Sequence, residues 1–232
     1  MSARSATEAS SSTRVRFEAA AARLERLSLR ATEVVPATLP SGPDILMPEF
    51  SDGRLRPRLE IPATARSAAV LALVYPGPDG EARLVLIERV TYDGHHSGEV
   101  SLPGGKAEPG DEDEAATALR EAAEEVGLDA DAAMVRVVGR LDTVWIPVSD
   151  FRIAPVVALA ERTPTFVPDP SEVGQILEPA LASFLPGAPI EVVERTVGDW
   201  PLRYGEYRVA GLHVWGATAR ILGQLGAVIG EG

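Results

Sequence analysis

The sequence contains no cysteine. Disulfide scaffolds, thiol nucleophiles, iron–sulfur clusters and Cys-based zinc sites are therefore excluded. Its three histidines leave little for a His-rich metal centre. Lysine occurs once, as Lys106, so Schiff-base chemistry has a single candidate. Bases are also scarce, 22 against 34 acids, for a formal charge of −12. Such a balance argues against a broad nucleic-acid or anionic-membrane surface. No apolar run approaches the ~20 residues of a membrane-spanning helix. The start, MSARSATEASSSTR, lacks the apolar core of a signal peptide, and the expected location is the cytoplasm. What remains is ordinary: 232 residues, 45% apolar and 24% charged, enough for one large domain without staples.

Residues 1–14 are small and polar and are expected to form a disordered tail. Residues 15–65 read as an N-terminal helix (15–30) followed by a proline-rich arm. The stretch 66–228 carries the domain. Apolar runs at 68–75 and 83–89, separated by PGPDGEA, predict a strand pair. A glycine-rich loop over 90–111 leads to a helix at 112–126. Strands are expected at 134–141, 152–159, 172–178, 190–197 and 203–208. Pro179 opens a short helix to Phe184, and a last helix lies near 214–226. This mixture without a repeat predicts an α/β sandwich.

The chemistry is concentrated in GGKAEPGDEDEAATALREAAEEVGL, 104–128. Between Glu108 and Glu125 stand eight acids and one base, Arg120, which is −7 of the chain's −12. An acidic run is usually a solvated helix face, but this one is poorly placed for that. Asp111 and Glu114 have capping-box spacing at its start, and Gly127 ends it. Glu124 and Glu125 then crowd the C-terminal turn, where the helix dipole favours cations. Glu121 and Glu125 are like charges four apart. A divalent cation explains this convergence, and hard oxygen ligands select Mg²⁺ or Mn²⁺. Such a cation keeps positions open for water and phosphate, polarises a phosphoryl oxygen and acidifies water. The Gly104–Gly105 pair allows close backbone approach and offers a carbonyl ligand.

REAAEEVGL, 120–128, resembles the ending of the Nudix box, Arg-Glu-U-x-Glu-Glu-x-Gly-U with U apolar, and Gly105 supplies the opening glycine. Asp111 lies six after that glycine but nine before Arg120, while Glu112 keeps the box spacing to Arg120. This one-residue expansion is similar to the coenzyme A pyrophosphatase branch of the family. VLIERVTYDGHHSGEVSLPGG, 85–105, resembles that branch's upstream motif at Arg89, His96, Gly98, Val100, Pro103, Gly104 and Gly105. Gly94 stands where the branch has a second arginine. SDFRIAPVV (149–157), SEVGQILEPALASFL (171–185) and HVWGATARIL (213–222) extend the likeness.

The resemblance implies a Nudix-type α/β/α sandwich with a mixed central sheet. It implies an Mg²⁺- or Mn²⁺-dependent diphosphatase acting on a small nucleotide substrate. Coenzyme A or a derivative would be cut into 3′,5′-ADP and 4′-phosphopantetheine. Glu121, Glu124, Glu125 and the Gly105 carbonyl would hold metal, with Arg120 orienting Glu124. One of these glutamates, or Glu172, would deprotonate the attacking water. Arg89, His96 and Gly104 would face substrate. A nucleoside triphosphate, ADP-ribose or a dinucleotide is the alternative substrate, and a non-catalytic ligand sensor the alternative role. Trp145, Tyr92, Trp215, Tyr204 and Tyr207 read as packing residues by default. No nucleic-acid or membrane partner is expected, and a homodimer is left open.

Overall fold

The computed structural model describes residues 14–27, 38–52, 60–90, 98–197 and 200–230. In chain order the first elements are α1 (Phe17–Leu24), β1 (Glu49–Phe50), β2 (Arg66–Pro76), β3 (Ala82–Leu84), β4 (Leu86–Arg89), β5 (Val100–Ser101), β6 (Gly104–Lys106) and α2 (Glu114–Val126). They are followed by β7 (Val135–Arg140), β8 (Val144–Ile146), β9 (Phe151–Ala160), β10 (Val173–Leu177), β11 (Glu191–Val197), β12 (Trp200–Val209), β13 (Leu212–Val214) and α3 (Gly216–Gly230).

Strand periodicity explains the layering. β2 and β9 are apolar on both faces, as strands covered on two sides must be. Ala69, Leu71, Leu73 and Tyr75 point to one side and pack with Ala118, Ala122 and Val126 of α2. Ala72 and Val74 point to the other and join a core shared with Ala20 and Leu24 of α1 and Leu222, Leu225 and Ile229 of α3. β9 divides likewise, Val156 and Ala158 toward α2, Val157 and Leu159 toward α1 and α3. β2 and β9 run parallel, while β3, β6, β7 and β8 join them antiparallel in a six-stranded mixed sheet. The result is an α/β/α sandwich with a mixed central sheet.

A second group of strands flanks the site. β4 lies between β10 and β5, and β12 pairs with β1, β11 and β13. β13 comes within 8 Å of β5, Cα to Cα. Residues ahead of β2 pack on the same core, through Ala20, Leu24 and Leu27 and through Leu46 of a 3-10 turn.

Several elements depart from expectation. The apolar run 83–89 is not one strand. It breaks at the fully buried Val85, and its halves β3 and β4 enter different sheets. The glycine-rich loop 90–111 contains β5 and β6, because backbone pairing to β4 and β2 supplies order that composition does not show. The last helix starts at Gly216 and runs to Gly230. The strand pieces β1, β8 and β13 were not anticipated, being too short for a periodic signal. Residues 1–13 of the expected tail, 28–30 of the expected helix, 31–37 and 53–59 of the arm, and 91–97 of the loop lie outside the described residues. Among the described residues no helix is long and apolar enough to cross a membrane.

α3 reaches the core by close approach at glycine. A Cβ on Gly226 would sit 1.9 Å from the carbonyl oxygen of Phe184, whereas one on Gly110 would meet nothing within 4 Å. Overpacking against backbone costs roughly 1–3 kcal/mol, more than the ~1 kcal/mol that Gly→Ala returns in a helix. Gly226→Ala should therefore lower the Tm by several degrees in a thermal melt, and Gly110→Ala should leave it nearly unchanged.

Candidate active site

The site is built on α2. Its N-cap is Asp113, in extended conformation, whose carboxylate accepts from the Ala116 amide at 2.8 Å. This corrects the expected cap at Asp111 and moves the helix start to Glu114. Asp111 is drawn elsewhere because Arg120 reaches it first. The guanidinium donates to both its oxygens, from Nε at 3.0 Å and from a terminal nitrogen at 3.1 Å. The Thr117 hydroxyl and the Glu108 amide add two further donors at 2.9 Å each. The Arg120 hydrogen bonds and the Glu108 amide hold the Asp111 carboxyl well below the usual carboxylate range. Asp111, not Glu112, is therefore the acid that partners Arg120 in this expanded motif.

The far end of α2 stops at Gly127, in left-handed conformation with φ 63°. Amides of Gly127 and Leu128 return to the carbonyls of Ala123 and Ala122. No base occupies the last turn. Instead the carbonyls of Glu125 and Val126 accept from the amides of Asp169 and Val167, both at 2.9 Å. The same segment brings in Glu172, whose carbonyl accepts from the Val90 amide at 3.0 Å. Glu172 is thereby fixed beside Arg89 and the end of α2.

Glu125 is only 2% exposed. One oxygen accepts from the Gly104 amide at 2.7 Å, the other from Arg89 at 3.2 Å. Arg89 also donates to the Gly104 carbonyl at 3.1 Å. Gly104 has φ 152°, and a Cβ there would lie 2.3 Å from the Ala69 carbonyl. Only glycine lets this backbone pass between β2 and Glu125. At Gly105 a Cβ would come within 2.6 Å of the Glu121 carboxylate, so that carboxylate lies directly over the strand.

Arg120 ties the remaining acids together. It donates to Glu121 at 3.0 Å, to Glu124 at 2.9 Å and to the Lys106 carbonyl at 3.0 Å. Glu124 points outward, with its side chain 60% exposed. Burial raises the Glu121 carboxyl above its ordinary value, and the charges of Glu124 and Glu172 push the same way against Arg120. Burial likewise pushes Glu125 up to about 7, against the opposing effects of Arg89 and the Gly104 amide, with Glu121 and Glu172 adding to the rise. Glu121, Glu125 and Glu172 thus act on one another. Among the described residues no three acids already enclose a cation position. The donor set nevertheless fits a hard divalent ion: oxygen-only ligands, one of them raised by burial and like charge to near neutrality.

The structure therefore assembles Gly104, Gly105, Arg89, Arg120, Glu121, Glu124, Glu125 and Glu172 around one end of α2. His96 lies outside the described residues. Arg89, read from the sequence as a substrate contact, is turned to Glu125. The contributions of Asp111, the Gly104 amide and the Lys106 carbonyl were missed. The odd spacing of Asp111 to Arg120 was the one signal available for them.

The family model described as NUDIX domain matches residues 65–188. Nudix hydrolase 15, mitochondrial, from Arabidopsis thaliana is 37% identical over 172 residues, covering 72% of this chain and 59% of that protein. Nudix hydrolase 22, chloroplastic, from the same plant is 36% identical over 173 residues, covering 71% and 55%. The chain thus spans less than two thirds of the length of these relatives. A crystal structure of a Nudix hydrolase from M. smegmatis, RenU, is 26% identical with a TM-score of 0.43, over 51% of this chain and 73% of that one.

The raised Glu125 has a thermodynamic consequence. Its carboxyl titrates near 4.5 in the unfolded chain and at about 7 when folded. Between those values the folded state binds more protons, so stability falls as pH rises. In chelator the Tm should drop between about pH 5 and pH 8, less so in Glu125→Gln. Millimolar Mg²⁺ should offset the drop in the wild type by binding the ionised folded state. A melt series at several pH values, with and without Mg²⁺, checks both signs.

Proposed function

The chain belongs to the Nudix family, and on that premise we propose that it is a metal-dependent diphosphatase acting on coenzyme A or a derivative. The observation that carries the hydrolase reading is the buried Glu125, clamped by Arg89 and the Gly104 amide beside Glu121 and Glu172. The coenzyme A assignment rests on the sequence likeness over 85–105, 149–157, 171–185 and 213–222.

Glu121, Glu124, Glu125 and the Gly105 carbonyl would hold Mg²⁺ or Mn²⁺. When bound, such an ion polarises a phosphoryl oxygen and lowers the pKa of water. The chain's own residues do the rest. Arg89 and the Gly104 amide prevent Glu125 from rotating, and Arg120 fixes Glu121 and Glu124. Glu172, exposed at the mouth of the site, takes a proton from the attacking water on a carboxylate oxygen. The water oxygen bonds to one phosphorus while the bridging P–O bond breaks. The products are 3′,5′-ADP and 4′-phosphopantetheine. Positioning and charge neutralisation supply most of the acceleration, as is general for phosphoryl transfer.

The test is kcat/KM with product analysis on coenzyme A, dephospho-coenzyme A, NADH, ADP-ribose and a nucleoside triphosphate. Coenzyme A should be cleaved most efficiently. A preference for ADP-ribose or a triphosphate overturns the substrate assignment. Glu125→Gln should lower turnover by at least about a hundredfold while the protein stays folded. Arg89→Ala should lower kcat on every substrate alike, because its guanidinium holds Glu125.

A further inference from the structure

With Arg89 turned to Glu125, a substrate carrying a further phosphate needs another cation. The strand faces show where one lies. Val100 of β5 and Val214 of β13 point into the core shared with α1 and α3. By alternation Ser101 and His213 point to the opposite face. Ile87 is paired with Ser101 and packs on the α2 side, so Arg89, two residues on, shares that face. On β12, Tyr207 and Val209 enter the core, which puts Tyr204, Glu206 and Arg208 on the opposite face with His213. Arg195 pairs with Leu202 and so joins them. Arg89 and Ser101 therefore share one face of the sheet β10–β4–β5, and His213, Glu206 and Arg195 share one face of the sheet built on β12. The two sheets meet where β13 comes within 8 Å of β5, Cα to Cα.

The group on the β12 sheet is unusual. Glu206 is fully buried, and its Oε1 is 2.5 Å from Nδ1 of His213. Arginine only donates, so Nε2 of His213 accepts from Arg208 at 2.8 Å. Arg208 also meets the exposed Glu191 at 2.9 Å. Arg195 is 3.1 Å from the same imidazole. Among the described residues its one carboxylate neighbour within 4.0 Å is Glu206 Oε2, at 3.6 Å, and its side chain is 43% exposed. Among the described residues, Glu206 Oε2 and the buried Ser101 hydroxyl have no hydrogen-bond partner. Two guanidiniums thus converge on one imidazole and one buried carboxylate, on the sheet that meets β5 and its Ser101.

We propose that Arg195, supported by Arg208 and His213 over Glu206, is a second anion site that receives a phosphate ester of the substrate outside the diphosphate being cleaved. Glu206 lies 3.6 Å from each of the two arginines, and the half-exposed side chain of Arg195 leaves part of its charge open to a ligand. For coenzyme A the phosphate would be the one on the ribose, and that identification rests on the substrate reading above.

Calorimetry in Mg²⁺ with adenosine 3′,5′-bisphosphate and with 5′-AMP, which differ by that one phosphate, tests the site directly. Wild type should bind the bisphosphate roughly tenfold more tightly. Arg195→Ala should remove the difference by weakening the bisphosphate alone, and Arg195→Lys should keep part of it. Equal binding of both nucleotides by wild type overturns the proposal, as does an equal loss on both in Arg195→Ala. In turnover, Arg195→Ala should raise KM for coenzyme A, leave kcat unchanged and leave dephospho-coenzyme A unaffected. A lower kcat on both substrates would instead assign Arg195 a structural role. If coenzyme A is not hydrolysed at all, the substrate reading fails, and the paired nucleotides still decide the anion site.

Discussion

The candidate site at the end of α2 depends on a carboxylate that water would rather keep. Burying an ionised glutamate is expensive unless it is paired and hydrogen-bonded. Glu125 receives one backbone amide, from Gly104, and one guanidinium, from Arg89. These two donors do not fully offset the burial, which is why its carboxyl titrates near neutrality. The shortfall is itself informative. A group left undercompensated among Glu121 and Glu172 is suited to a bound cation, which would offset the charge that burial disfavours.

The surrounding fold exists to hold that arrangement. β2 carries the apolar surface on which α2 sits, and its pairing with β6 places Gly104 and Gly105 under the helix. Arg120 then locks helix to loop through Asp111 and the Lys106 carbonyl. A surface ion pair adds little stability. The value of Arg120 lies in its fork geometry, which reaches three carboxylates and a carbonyl from one planar group. The C-terminal carbonyls of α2 find donors in residues 167–169. The last turn therefore needs no basic residue and is free to carry acids.

Much of this was legible in the sequence. The acids set against the helix dipole marked α2 and its chemistry, and the doubly apolar runs of β2 and β9 marked the central sheet. The glycine pair marked a close backbone approach, and the structure shows two, at Ala69 and at Glu121. What could not be read was long-range. Asp113 and Asp111 are equally good caps by composition, and only the reach of Arg120 across nine residues distinguishes them. β5 and β6 are ordered by pairing partners, not by their own residues. Arg89 ends a strand beside a glycine-rich loop, which suggests anion contact. That its partner is a protein carboxylate 36 residues away follows from topology alone. The group at Arg195, Glu206, Arg208 and His213 comes from three strands with no shared spacing, so no motif announces it.

Charge distribution connects the two arginine groups. A chain of net −12 would repel a polyanion at long range, and its α2 segment concentrates that repulsion. A divalent cation at the carboxylates would reverse the local sign, but only over a short distance in salt. On the proposed reading, an anion longer than its diphosphate would benefit from a second positive point beyond that reach. Arginine suits the position better than lysine, because its guanidinium is weakly hydrated and its planar fork can face an imidazole and a carboxylate at once. In a protein with a single lysine, both the clamp on Glu125 and the distant cationic group are built from arginine. Both are carried on strands, Arg89 on β4 and the arginine pair on β11 and β12, of two sheets that meet at β5 and β13.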